Sequence, residues 1–143
     1  MTPTVREVLQ GCTIAIVTPP SADAGPDYAA SRFGMVAMMI GLAAQEADRC
    51  AAAAIAENAD VRALFAAASA YDGALGGRLA KAAAEVDADL TVPALDATNA
   101  RLRRLVIELH EQVEEAGDAA TNRAIVALYV RMAAGRRLAL GGG

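Results

Sequence analysis

A chain of 143 residues has the size of one domain, long enough to bury a hydrophobic core and too short for two independent ones. Its 13 basic and 17 acidic residues give a net charge of −4, the wrong sign for a broad phosphate-binding surface, so we expect no nucleic-acid partner. Hydrophobic residues make up 55% of the chain and aromatic residues only 3%. Because much of the hydrophobic fraction is alanine, the strongest helix former, the composition favours helices packed on helices.

Residues 1–25 are predicted to form an N-terminal arm with a short helix. Thr4 and Glu7 have the spacing of a capping box, and Gly11 predicts that this helix ends after two turns. The apolar, β-branched run 12–17 predicts an extended segment, because such residues favour extended backbone. We expect this extended arm to pack on the remaining helices or on a neighbouring chain.

Residues 26–140 are predicted to form an all-α, antiparallel four-helix bundle, because helical periodicity recurs in four segments. The first bundle helix is expected over 27–57, since Asn58 and Asp60 offer a stop and a fresh N-cap. Glycines within 71–77 predict a kink or break in the helical pattern that follows.

The last two bundle helices have the clearest sequence patterns. Pro93 suits a first helical turn, and leucine and valine recur at helical spacing as far as Ala116. Gly117 is expected to end this helix and Asp118 to cap the next one. The glycines 141–143 are predicted to form a disordered tail.

The cysteine and hydropathy patterns indicate the cellular compartment in which the protein is expected. Cys12 and Cys50 have no cysteine or histidine nearby, which predicts neither a zinc site nor a disulfide framework and fits a reducing cytoplasm. The uncharged run 33–44 is well short of the roughly 20 residues that cross a bilayer. We therefore expect a cytoplasmic protein with no membrane partner.

His110, the only histidine, is the first candidate for chemistry. Glu114 follows it at a spacing that lets both side chains reach one metal or ligand. Di-iron bundles need Glu-x-x-His on two helices, and here Ile107 occupies the position of the acid. We therefore favour a structural histidine, no metal and no cofactor, with a site at His110 and Glu114 left open as the alternative.

Arginines are concentrated in the last third of the chain. Arg101, Arg103 and Arg104 lie on one predicted helix, and Arg123 and Arg131 lie on the next. Such a group can gather an anionic ligand, but it can equally pair with acidic residues of neighbouring helices. We favour the electrostatic pairing of helices.

The uncharged run 33–44 also indicates self-association. It is apolar on every side, whereas a helix at the edge of a lone bundle has a polar face. Gly34, Met38 and Gly41 are predicted to lie in the interface of a homo-oligomer, most simply a twofold dimer.

No catalytic signature is present, so the favoured function is a non-catalytic interaction or scaffolding protein that acts as a homo-oligomer, with a different protein as a further candidate partner. The alternative is a helical bundle with an internal site for a metal or a small apolar ligand, and with enzymatic activity there. The two functions differ in what the core holds. The first needs a dry seam of alanine, leucine and methionine, and the second needs converging carboxylates or a pocket.

Overall fold

A computed structural model of the chain describes residues 4–21, 24–68, 71 and 73–135. These residues contain helices and no strand, which confirms the prediction of an all-α fold. The predicted tail 141–143 lies outside the described residues. In chain order, the helices are α1 (Val5–Val17), α2 (Pro26–Ala67), α3 (Gly73–Ala84), α4 (Val92–Ala116) and α5 (Ala119–Gly135).

The chain divides within α2 into two compact units, which are described one after the other. The N-terminal unit contains the described residues up to Arg49, and the C-terminal unit contains those from Cys50 onward. The N-terminal unit thus holds α1 and the first half of α2. The C-terminal unit holds the rest of α2 and the three shorter helices.

The start of α1 is capped as the sequence predicts. The Thr4 hydroxyl accepts a hydrogen bond from the backbone N–H of Glu7 at 3.3 Å. The Glu7 carboxylate in turn accepts one from the backbone N–H of Thr4 at 2.7 Å. Two N–H groups that a helix start leaves unpaired are thereby satisfied, which completes the capping box.

The predicted extended segment 12–17 is wrong, because these residues continue α1 for its full 13 residues. β-Branched residues disfavour a helix by only about 0.5 kcal/mol each, and a capped helix start outweighs that penalty. The Thr13 hydroxyl also donates to the carbonyl of Leu9 at 2.9 Å. The helix ends only at Thr18, whose backbone is extended because Pro19 follows it.

The predicted helix boundary at Asn58 and Asp60 is also wrong. α2 continues through it as one helix of 42 residues, about 63 Å long at 1.5 Å per residue. Both side chains have partners elsewhere: Asn58 donates to Asp87 at 3.4 Å, and Asp60 accepts from Arg131 at 2.9 Å. Neither residue caps a helix.

The core of the C-terminal unit is one cluster of buried side chains from α2, α3, α4 and α5. Leu105 and Leu109 belong to it with 9% and 0% of their surfaces exposed, as the apolar stripe of α4 predicts. The buried members of this cluster are Val61, Leu64, Phe65, Ala68, Leu75, Leu79, Ala82, Leu102, Leu105, Val106, Leu109, Val113, Ile125, Leu128 and Met132.

The predicted break at the glycines is confirmed, since α2 ends at Ala67 and α3 begins at Gly73. Gly73 has a φ of 85°, in the left-handed region that favours glycine. Gly76 lies against the backbone of Tyr71, and a Cβ at Gly76 would be 1.7 Å from the Tyr71 carbonyl oxygen. Only glycine fits there without moving the chain.

The predicted boundary between the last two helices is confirmed as well. Gly117 ends α4 with a φ of 65°, in the left-handed conformation typical of a helix C-cap. The Asp118 carboxylate accepts hydrogen bonds from the N–H groups of Ala120 and Thr121 at 3.0 and 3.1 Å, which caps α5.

Alanine substitutions at two adjacent glycines are expected to have opposite effects on stability. Gly76→Ala should destabilise the protein by more than about 2 kcal/mol, because backbone must move to admit the methyl group. Gly77→Ala should stabilise it by up to about 1 kcal/mol, because a Cβ there has open space and alanine favours the helix. Urea unfolding of both variants beside the wild type measures the difference. Equal effects would contradict the described approach of Gly76 to Tyr71.

Candidate functional site

The interior of the N-terminal unit is small. Its buried hydrophobic residues, among those described, are Cys12, Val36 and Ala43, each 5–9% exposed. The Arg32 guanidinium donates to two carbonyls of the α1 C-terminus, one of them Thr18 at 2.8 Å. This hydrogen bonding satisfies acceptors that a helix end leaves unpaired and fastens α1 to α2.

Large apolar side chains dominate the surface of the same unit. Met35 is 64% exposed and Met38 is 55% exposed, although both lie in the middle of a helix. Contiguous exposed apolar surface of this kind marks an interaction site in soluble proteins. The exposed large hydrophobic residues of this unit are Leu9, Ile14, Ile16, Val17, Tyr28, Phe33, Met35, Met38 and Ile40.

Part of this surface forms a continuous strip on α2, which we call the α2 apolar face: Tyr28, Gly34, Met35, Met38 and Gly41. At 100° per residue Gly34, Met38 and Gly41 lie opposite the buried positions of this part of the helix, and Tyr28 and Met35 extend the strip along one side. Apart from the adjoining residues and backbone of the same helix, no described atom lies within 4 Å of the place that a Cβ would take at either glycine. All three predicted interface residues therefore belong to this face, which the described residues leave uncovered.

The face carries no charge. None of the thirteen consecutive residues 33–45 is charged, and the nearest charged residues are Arg32 and Glu46. Arg32 is engaged with the end of α1, and Glu46 forms an ion pair with Arg49 at 2.9 Å. An uncharged strip of this length is unusual on a solvated helix.

His110 and Glu114 lie together on α4, as their spacing predicts. His110 Nε2 is 3.6 Å from the Glu114 carboxylate and 2.9 Å from the amide oxygen of Asn122 on α5. The amide oxygen accepts a hydrogen bond from the Nε2–H tautomer of the imidazole, and this contact joins α4 to α5. No group of three or more metal-ligating side chains occurs among the described residues. The geometry is that of a histidine that joins two helices, with its ring 6.0 Å from that of Tyr129.

A second set of polar residues, which we call the buried polar cluster, lies inside the C-terminal unit: Glu57, Asn58, Arg62, Asp87 and Asn99. The Asn99 amide donates to Glu57 at 2.8 Å and to the Asn58 amide oxygen at 3.0 Å. Asn58, with no exposed surface, donates to Asp87. The Arg62 guanidinium donates to both oxygens of Asp87, at 2.8 and 2.7 Å.

The cluster ties three parts of the unit together, since its members come from α2, from the α3–α4 connection and from α4. The Arg62 guanidinium holds the pKa of the Asp87 carboxyl below its ordinary value through its hydrogen bonds, against the opposing effect of burial. The same hydrogen bonds raise the pKa of Arg62. The side chains of Arg62 and Asp87 are only 12% and 8% exposed. Because water reaches them poorly, each charge is stabilised mainly by the other.

Sequence reasoning missed this cluster, although a signal was present. Asn99 occupies the apolar stripe of α4 between Leu95 and Leu102, and Asn58 precedes Val61 on the stripe of α2. An asparagine in a core stripe needs a buried partner, because an unpaired buried amide is costly.

A third polar contact fastens the connection between α2 and α3 to the start of α5. The Tyr71 hydroxyl donates to the Asp118 carboxylate at 2.9 Å. Hydrogen bonds from Thr121, followed by that from Tyr71, lower the pKa of Asp118 to about 2. Partial burial and this contact raise the pKa of Tyr71. Asp118 thus caps a helix and holds a loop at once.

The predicted pairing of arginines with neighbouring helices is confirmed at two positions, Arg103 and Arg131, and Arg101 pairs with the connection between α3 and α4. Arg101 forms an ion pair with Glu85, and Arg103 Nε is 3.9 Å from the carboxylate of Glu57. Arg131 pairs with its partner on α2 at 2.9 Å. These pairs join α4 and α5 to acidic residues earlier in the chain.

Comparisons with protein-family models, curated proteins and solved structures found no match. Within the described residues, no helix has both the length and the hydropathy needed to cross a membrane. The function of this chain must therefore be inferred from its own geometry. Two features bear on that function: the α2 apolar face, which is uncharged, and the buried polar cluster, whose members hydrogen-bond to one another.

Removal of the Asp87 charge should be strongly destabilising. Asp87→Asn is expected to cost about 3–5 kcal/mol at pH 7, because it leaves the mostly buried Arg62 charge without its partner. The Asp87 pKa is lower folded than unfolded, so this pair contributes its full stability above about pH 4 and loses it as pH falls through the folded pKa. Urea unfolding at pH 7 and at pH 2–3 measures both effects, and the gap between variant and wild type should shrink at the lower pH.

The matched control is Asp96→Asn, which removes an exposed aspartate from α4. It should change the free energy of unfolding by less than about 0.5 kcal/mol at either pH. A loss as large at Asp96 as at Asp87, or a gap that does not depend on pH, would contradict the role assigned to the Arg62–Asp87 pair.

Proposed function

We propose that this chain is a non-catalytic helical interaction protein that acts as a homo-oligomer, with a twofold dimer as its assembly. The observation that carries the proposal is the α2 apolar face, which is uncharged and exposed in a single chain. The interface consists of Gly34, Met38 and Gly41, with the other residues of that face around them.

The energetic argument rests on apolar surface in water. Burial of one large apolar side chain is worth about 1.5–3 kcal/mol relative to its exposure. Nine such side chains that are roughly half exposed forgo on the order of 10 kcal/mol. Met35 and Met38 are two of the nine, and a partner that covers their side of α2 recovers part of this free energy. The loss of translational freedom on association offsets the gain in part.

A second copy of the chain fits this face for three reasons. In a twofold interface the same patch meets itself, and an uncharged patch does so without repulsion between like charges. The glycines let two helix backbones approach closely, because no Cβ separates them. The methionines supply flexible, polarisable side chains that fill irregular gaps between the helices.

We also propose that the helical segments of the C-terminal unit form an antiparallel four-helix bundle, which covers a shorter range than the 26–140 expected from the sequence. Support comes from its single cluster of buried side chains, to which α2, α3, α4 and α5 all contribute. This core consists of leucine, valine, isoleucine and phenylalanine with two alanines and one methionine, and is thus richer in bulky residues than the expected seam of alanine, leucine and methionine. An apolar core of this kind supports an interaction protein.

The cytoplasm is the proposed location. Cys12 and Cys50 are not joined by a disulfide, which fits a reducing compartment. The net charge of −4 argues against nucleic acid as a partner. The partner we propose is a second copy of the chain, and a different protein is the candidate for the surface that dimerisation leaves open.

A charge placed in the interface should separate the protomers. The wild type is expected to be a dimer in light scattering at micromolar concentration, and Met38→Glu or Gly41→Glu should shift it toward the monomer, because each carboxylate would be desolvated beside its symmetry mate. Both positions are exposed in one chain, so helix content measured by circular dichroism should remain high.

Ile107→Glu is the matched control. Ile107 lies on α4 and is 54% exposed, against 55% for Met38, so the substitution adds the same charge at an equally exposed apolar site. It should leave the dimer intact. A wild type that is monomeric at these concentrations would contradict the proposal, as would dissociation by all three substitutions alike.

A further inference from the structure

A cleft of about 330 Å³ lies between α3 and α4 in the C-terminal unit. Each wall has four lining residues at the spacing i, i+3, i+4 and i+7, which is that of one helix face. All four residues of one wall lie on α4, whereas the other wall consists of three residues of α3 and Glu85, which directly follows α3. In both sets the first residue is an arginine and the last is a glutamate. The same pattern therefore occurs on both walls of the cleft.

Two ion pairs cross the cleft and close its ends. The Arg78 guanidinium donates to the carboxylate of Glu108, and the Arg101 guanidinium donates to that of Glu85. The arginine of each wall thus pairs with the glutamate of the other wall. These crossed pairs establish that the two walls run antiparallel, with their middle residues between the pairs.

The middle of the cleft carries two further cations. Lys81 from α3 and Arg104 from α4 line it between the ion pairs. Neither has a carboxylate partner in the described part of the chain. Two like charges that line one small volume repel each other, and the two carboxylates of the lining, Glu85 and Glu108, are already paired with Arg101 and Arg78.

The charge of the lining matches a dianion. Four cations and two carboxylates line the cleft, which leaves an excess of two positive charges on a chain whose net charge is −4. A phosphate monoester carries about 1.5 to 2 negative charges at pH 7, with three oxygens to accept hydrogen bonds. A monocarboxylate would balance only one of the two excess charges. The volume suits a small molecule, since ligand pockets begin at about 300 Å³.

We propose that this cleft binds the phosphate group of a small molecule, held by Lys81 and Arg104. The Arg104 guanidinium is a planar donor fork that matches phosphate oxygens, and the Lys81 ammonium adds a second cation. Leu105 and Ala82 form an apolar floor against which an organic group can lie. The site is separate from the α2 apolar face and does not depend on dimerisation.

Titration of the ¹⁵N-labelled full chain at low ionic strength tests the proposal, with inorganic phosphate and phenyl phosphate as probes. Saturable shifts of NMR signals from α3 and α4 are expected with at least one probe. Tighter binding of phenyl phosphate would assign the site to a phosphate ester, and equal binding would assign it to free phosphate. Lys81→Gln and Arg104→Gln should each weaken binding by about tenfold, the effect of losing one charge-assisted hydrogen bond.

Arg123→Gln is the matched control, because it removes a positive charge from an exposed position on α5 outside the cleft. It should bind both probes as the wild type does. The absence of saturable shifts would overturn the proposal. It would also fail if the Arg123 variant lost as much affinity as the other two, or if acetate bound as tightly as phosphate, since either result indicates attraction by net charge alone.

Discussion

The burial of apolar side chains along α2 is the constraint on which the rest of the structure depends. Near its C-terminal end, Val61 and Phe65 are fully buried in a core completed by three other helices. In its first half, Met35 and Met38 have more than half of their surfaces exposed. The same helix thus contributes to a well-packed core near its C-terminal end and leaves large apolar side chains exposed in its first half. The hydrophobic effect that stabilises the first arrangement favours a partner for the second.

Polar residues give the C-terminal unit its specificity. The buried polar cluster contributes little net stability compared with apolar residues of the same size, because its charges and amides must leave water. The side-chain amides of Asn58 and Asn99 and the carboxylate of Asp87 form their hydrogen bonds only when these residues meet in one register. Alternative packings of alanine-rich helices leave these groups unpaired at a cost of about 1–3 kcal/mol for each. The cluster therefore selects one packing among many that an alanine-rich surface allows.

Sequence patterns predicted the elements whose determinants are local. Gly117 and Asp118 mark the boundary of α4 and α5 because a left-handed backbone and an N-cap are properties of adjacent residues. Leu105 and Leu109 lie in the core, as the spacing of leucine and valine along α4 predicts, because this stripe lies within one helix. The break at the glycines before α3 follows from the conformational freedom of those residues in the same way.

The features that sequence reasoning missed have distant determinants. Asn58 has the local preference of a helix cap, but its partner Asp87 is 29 residues away, and burial against that partner keeps α2 continuous. The run 12–17 has β-branched residues, but a strand needs a second strand, and the capping box at Thr4 starts a helix that continues through it. The spacing of His110 and Glu114 predicts correctly that their side chains lie together on α4. The hydrogen-bond partner of the imidazole, Asn122, lies on another helix. Pairings of this kind cannot be found in a single sequence by periodicity.

The most direct test of the central claim is an isotope-filtered NOE experiment on a mixture of two protein samples. One sample carries ¹³C-labelled methionine methyl groups and the other is unlabelled. If two copies meet through the α2 apolar face, NOEs are expected between the ε-methyl groups of Met35 and Met38 and protons of Gly34 or Gly41 on the unlabelled copy. The absence of any NOE between copies, together with methyl signals that are broadened by a soluble paramagnetic agent, would show that water rather than a second chain covers α2.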